Sequence, residues 1–186
     1  QSFGSAGCEP QDLDVAPNGD IAITGWMQSQ FSFAGQNLNF TSGYDIFLVK
    51  FTTNGTPDWG QSFGSANSTQ ESGNSVKFLI DNSIVLLGDF TGTIDLNYGA
   101  PISNVISNGL LDMFLLKISN SGGYIASCSF GGTDYDTGQF LVLDNQQDII
   151  ITGRKYGTVD FDPGNSTFNL SANGSNAFIT KLNSNF

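Results

Sequence analysis

The chain contains no histidine, which removes the commonest general base, every histidine-based triad and most zinc sites. Cations are almost as scarce: six Lys and Arg stand against seventeen Asp and Glu, a net charge of −11. A nucleic-acid partner needs a basic face to displace counterions, and an anionic membrane surface needs the same, so neither is expected. Glutamate occurs only as Glu9 and Glu71, so the acids are nearly all Asp. Asp with Asn, Ser and Gly belongs to turns and strand ends, whereas Glu with Lys and Ala belongs to helices. No apolar run approaches the ~20 residues of a membrane helix, which argues against membrane insertion. There is no C-x-x-C, no P-loop and no G-x-S-x-G. The only cysteines, Cys8 and Cys128, are expected to be small buried side chains rather than a disulfide.

What the 186 residues do contain is glycine (23), phenylalanine (16) and 39% hydrophobic residues, enough to build the core of one domain. They also contain one sentence written three times. Gln1-Ser2-Phe3-Gly4-Ser5-Ala6 returns as Gln61-Ser62-Phe63-Gly64-Ser65-Ala66 and as Cys128-Ser129-Phe130-Gly131-Gly132. Ile21-Ala22-Ile23-Thr24-Gly25 is matched by Ile84-Val85-Leu86-Leu87-Gly88 and Ile149-Ile150-Ile151-Thr152-Gly153. Asp45-Ile46-Phe47-Leu48-Val49-Lys50 recurs as Asp112-Met113-Phe114-Leu115-Leu116-Lys117 and Asn176-Ala177-Phe178-Ile179-Thr180-Lys181. The three landmarks keep their order at a spacing of 60 to 67 residues, which divides the chain into repeats 1–60, 61–127 and 128–186.

Each repeat holds four or five short strand candidates and no helical periodicity. In the first, Pro17-Asn18-Gly19-Asp20 separates two of them with hairpin chemistry, because Asn-Gly accepts positive φ. Ile84-Val85-Leu86-Leu87 is continuously apolar, so it must be covered on both faces. Four-stranded antiparallel sheets covered on both faces, in units of this length, predict an all-β chain of β-propeller-type blades. Three blades are fewer than the four to eight of a propeller. The chain is therefore expected to be a segment of a longer one, or a protomer completed by sister copies. Its open terminal blades are expected to expose apolar faces such as those of Phe3, Ile46 and Phe178, and Trp59 is expected to plug the seam between the first two blades.

The third repeat carries the fullest motif: Ser129-Phe130-Gly131-Gly132, Ile149 to Gly153, Gly157-Thr158-Val159-Asp160-Phe161-Asp162-Pro163-Gly164, and Phe178 to Leu182. This pattern resembles the bacterial SBBP (seven-bladed β-propeller) repeat, and the resemblance spans essentially the whole chain. It implies a secreted or cell-surface module of a large bacterial protein, without a defined enzyme activity. The departures are Asn176 in place of the usual Asp, and Phe31-Ser32-Phe33-Ala34 in place of D-F-D-P.

Side chains that could carry chemistry are few. Asp134 with Asp136, or Asp160 with Asp162, would stand roughly 6.5–7 Å apart on a strand face, near the separations of paired glycosidase acids. Nothing around them sets one pKa up and the other down, so catalysis is not expected. Asp160 and Asp162, and their counterparts Asp95 and Asn97, offer hard oxygen ligands for calcium beside a turn. The same residues equally describe an Asx turn that stops a strand. Lys50, Lys117 and Lys181 hold one position in the repeat, which argues for structural pairing with acids such as Asp14, Asp81 or Asp144. Phe3, Phe63, Phe130, Phe47, Phe114 and Phe178 are expected to fill the core between blades, and Gly25, Gly88 and Gly153 to mark a fixed structural position. Trp26 and Tyr156, just past that glycine, are candidates for stacking on a sugar.

The sequence therefore predicts a non-enzymatic, extracellular or cell-surface segment serving as a structural, adhesive or protein-interaction platform. No cofactor is expected beyond calcium, and the expected partners are other blades or sister copies. The alternative is a carbohydrate-binding module, calcium-assisted, facing a surface glycan.

Overall fold

The computed structural model describes residues 2–66, 70–99 and 101–186; Gln1 of the first landmark lies outside them. The chain is all-β, as expected: among the described residues there is no helix, and three antiparallel sheets follow one another along the sequence. Sheet 1 is formed by β1 (Cys8–Val15), β2 (Ile21–Met27), β5 (Asp45–Phe51) and β6 (Pro57–Phe63), hydrogen-bonded in that order. Between β2 and β5 the chain makes a small hairpin of β3 (Phe31–Phe33) and β4 (Gln36–Leu38). Sheet 2 repeats the plan with β7 (Ser72–Phe78), β8 (Ile84–Phe90), β11 (Asp112–Ile118) and β12 (Tyr124–Phe130), and its hairpin is β9 (Thr93–Asp95) with β10 (Asn104–Ile106).

Sheet 3 departs from the expected four strands. It has three: β13 (Thr137–Leu143), β14 (Ile149–Asp160) and β15 (Asn169–Leu182). Here the hairpin is not a separate piece; β14 and β15 run through it, with one register shift between Tyr156 and Thr158. The sheets also begin later than the sequence repeats do. Gln61-Ser62-Phe63 and Cys128-Ser129-Phe130 lie in β6 and β12, so the Ser-Phe-Gly landmark closes a sheet instead of opening one. No closed ring or barrel is formed by the described residues.

Alternation explains how the sheets stack, because successive side chains of a strand leave by opposite faces. Ile46 and Leu48 of β5, with Trp59 and Phe63, meet Val76, Leu86, Phe114 and Leu116 of sheet 2 in one core. Val85, Leu87, Met113 and Leu115 leave by the other face of sheet 2 and meet Leu141, Ile151, Phe161 and Phe178 of sheet 3 in a second. Every residue of β5, β8 and β11 is buried, the outcome that a continuously apolar strand requires. A third core lies on the front of sheet 1, where Phe3 packs edge-on against Phe33 and Phe47 over Met27, Leu38 and Val49. Trp59 plugs the first seam as expected, donating its indole N–H to the Asn120 carbonyl at 3.0 Å.

Two glycine landmarks have a steric cause. In each sheet the first strand carries a β-bulge opposite the repeated glycine, with shifts between Pro10 and Asp12, Gly73 and Ser75, and Gly138 and Phe140. The bulge drives the carbonyls of Glu9, Ser72 and Thr137 against Gly25, Gly88 and Gly153, where any Cβ would collide with them. In the Ser-Phe-Gly landmark, a Cβ on Gly64 or Gly131 would strike the carboxyl of Asp45 or Asp112. The first and third landmarks thus touch in space.

Candidate functional site

The β-bulges are where the fold places unusual side chains. A bulge leaves one residue outside the strand's two-face alternation and re-aims it. That residue is Gln11 in β1, Asn74 in β7 and Gln139 in β13, a carboxamide each time. All three line one cavity of about 420 Å³, with Asp89 and Arg154. A neighbouring cavity of about 330 Å³ shares Gln11 and Asp89 and adds Trp26, Tyr44 and Glu71. Trp26, Asp89 and Arg154 are themselves equivalent: each follows the repeated glycine of its sheet. Two repeat positions, one constant and one variable, therefore supply the groove from all three sheets.

Its members are held to different degrees. Asp89 accepts the Asn74 amide at 2.7 Å and the Gly138 N–H at 2.9 Å, and Asn74 also donates to the Gly138 carbonyl at 2.8 Å. Burial pushes the Asp89 carboxyl up to about 7 against those two hydrogen bonds. Trp26 meets Tyr44 edge-on at 4.9 Å between ring centroids. Gln11 and Gln139 are exposed.

Of the residues singled out in sequence, Trp26 lines this groove and Tyr156 does not. Tyr156 lies in β14 beneath the Arg154 guanidinium, 5.7 Å from its ring centre. The calcium candidates sit at the outer hairpins, away from each other. Asp95 Oδ1 accepts the N–H groups of Asn97 and Ser103, at 3.0 and 2.8 Å, and Asn97 donates to the Pro101 carbonyl. Asp160 Oδ1 likewise accepts from Asp162 and Phe168, while Asp162 accepts from Gly164. These are Asx turns, and their donor set fits the turn rather than a cation. Asp136 is fully buried and takes the N–H groups of Gly132 and Tyr156, which makes it a loop anchor.

The repeated lysines are structural, and the departure from the expected acids is at Lys50. Lys50 is buried between Asp20 and Asp58, at 2.7 and 2.6 Å, while Asp14 instead accepts the Phe78 N–H across the first seam. Lys117 donates to the Ser184 carbonyl at 2.8 Å. Of the expected acids, Asp144 pairs with Lys181 at 2.5 Å, and the hydrogen bond from Ser83 and then the Lys117 charge hold the Asp81 carboxyl below the ordinary carboxylate range. The strand registers are the same in all three sheets, but the turn acids do not align: Asp20, Ser83 and Asp148 share a place that Asp14, Asp81 and Asp144 do not. Both cysteines are free thiols, and burial raises the pKa of Cys128 to about 12.

The two ends of the stack form a second kind of site. Ile179 occupies in β15 the place of Leu48 and Leu115, which are 0% exposed, yet Ile179 is 71% exposed. Phe140 and Val142 are exposed beside it on the same open face of sheet 3. At the opposite end Leu13 and Val15, at 57% and 56%, hold the places of the buried Val76 and Phe78. Ile46 and Phe178, expected at these ends, are buried instead because both point at sheet 2; Phe3 is half-buried over the front of sheet 1.

No family model matches the chain, and a search of curated proteins finds no match.

Proposed function

We propose that the chain is a non-enzymatic segment of β-propeller type, secreted or at the cell surface, serving as a structural, adhesive or protein-interaction platform. The SBBP-like pattern of Ser129 to Leu182 is one support for this reading. The observation that carries it is the pair of apolar end faces. Leu13 and Val15 at one end, and Phe140, Val142 and Ile179 at the other, are exposed at positions where the internal seams are closed. Such faces take sheets of the same kind, from other blades or from sister copies. Consistent with a scaffold, Lys50, Lys77 and Lys181 are committed to ion pairs, and the buried acids to turns and seams.

Sedimentation of the chain with end-specific variants tests this. The wild type is expected to associate with rising concentration. Leu13→Asp and Ile179→Asp should each block one end, so that neither self-associates but their mixture forms a dimer through the two intact faces. A wild type that stays monomeric and non-aggregating at all concentrations would refute the platform reading.

A further inference from the structure

We infer that the groove lined by the bulge residues binds a neutral oligosaccharide. The argument starts from the repetition. A residue fourteen positions before each repeated glycine (Gln11, Asn74, Gln139) is a carboxamide in every repeat and leaves its strand at a bulge. Packing does not require this, because Gln11 and Gln139 are exposed. Carboxamides both donate and accept, which is the chemistry that reads sugar hydroxyls.

The residue after the glycine varies: an indole in Trp26, a carboxyl in Asp89, a guanidinium in Arg154. An aromatic surface for the apolar face of a sugar ring, an acceptor and a fixed donor complete the set. Charge narrows the ligand further. Glu71 offsets Arg154 and the partly ionised Asp89 leaves no positive excess, so a sulfated, phosphorylated or uronic glycan is disfavoured and a neutral one is not. The adjoining cavities, about 330 and 420 Å³, give room for more than one sugar residue.

The groove lies beside the end faces but does not depend on them, so the test is run on the Ile179→Asp variant, which also blocks association. The protein is screened against an array of neutral and anionic oligosaccharides. The strongest neutral glycan is then titrated by calorimetry and by tryptophan fluorescence, with Trp59, buried in the seam, as an internal reference. Gln11→Ala and Gln139→Ala should each weaken binding about threefold to tenfold, the loss of one neutral hydrogen bond. Trp26→Ala should abolish it. Unchanged thermal melting of the two Gln variants separates recognition from folding. An empty array, binding to anionic glycans alone, or affinity unchanged in the Gln11→Ala/Gln139→Ala double variant would overturn the inference.

Discussion

Between sheets 1 and 2 the polar ties run from β1 to β7 and from β6 to the turn before β12. Asp12 accepts from Ser75 Oγ, the Val76 N–H and Lys77 Nζ, at 2.8 to 3.0 Å, and Gln61 donates to the Gly122 carbonyl. Between sheets 2 and 3 the ties include Asn74 and Asp89 to the backbone of Gly138, the Leu141 N–H to Ser75 Oγ, the Ile80 N–H to Gln147, and Lys117 to the last turn of the chain. The apolar fillings are alike, Phe63 with Phe114 in one seam and Phe130 with Phe178 in the other. One repeat thus supplies a common apolar joint, while the carboxyl that fastens each seam is held differently, with Ser75 Oγ serving both. The first is an ion pair in partial contact with water, and the second a buried carboxyl on neutral donors.

The largest effect should come from breaking what the seams share. Phe114→Ala is expected to cost about 3–5 kcal/mol in urea melts, as for a fully buried aromatic, and Thr180→Ser far less. Equal small losses would mean that the strand faces are assigned wrongly.

The seams should next respond to pH in opposite senses. Burial pushes Asp89 to about 7, and burial together with the Asp136 charge pushes Asp112 to about 6. Each binds its proton more tightly folded than unfolded. Stability is then greatest below the ordinary Asp range and declines as pH rises toward 7, by roughly 2–4 kcal/mol for Asp89. Asp89→Asn should flatten that decline. Asp12 behaves the other way. Burial opposes its charge, but Val76, Lys77 and Ser75 together hold its pKa below the ordinary value. Its contribution is present above that value and lost as pH falls through the lowered one. Melts between pH 3 and 8, for wild type, Asp89→Asn and Asp12→Ala, measure the two slopes.

Asp12→Ala at neutral pH should cost about 2 kcal/mol, because the Val76 N–H and Ser75 lose their acceptor. The smallest change is expected at Lys181→Ala. This exposed pair with Asp144 and Asp148 should leave melting unaltered, whereas Lys50→Ala, with two acids left around a buried site, should not. Equal losses at the two lysines would break the distinction between buried and exposed fastenings.

The apolar half of this architecture could be read from sequence because it depends on residue type alone. Ile84 to Leu87 needs two covered faces whatever lies opposite, and Trp59 needs a seam. The third sheet could not be read as three-stranded, since nothing in Ile149 to Asp160 forbids either one long strand or two short ones. The Lys50 partner was missed for a related reason: Asp14 and Asp20 are both plausible from spacing, and only the folded turn shows that Asp20 reaches the lysine while Asp14 turns to the Phe78 N–H. The groove was nearly legible. Its amides stand at a fixed distance from Gly25, Gly88 and Gly153, but without the bulge there is no reason to look at a residue that breaks the alternation.

The bulge has a consequence for how such a chain can change over time. A strand whose residues all face one seam or the other has no position free to vary, because each substitution is tested against packing. The extra residue at Gln11 and Gln139 is answerable to neither seam. New specificities can accumulate there, one repeat at a time, while the stack that presents them stays intact. A randomised library over those two codons, sorted separately for folding and for ligand, should show the first trait nearly constant and the second widely dispersed.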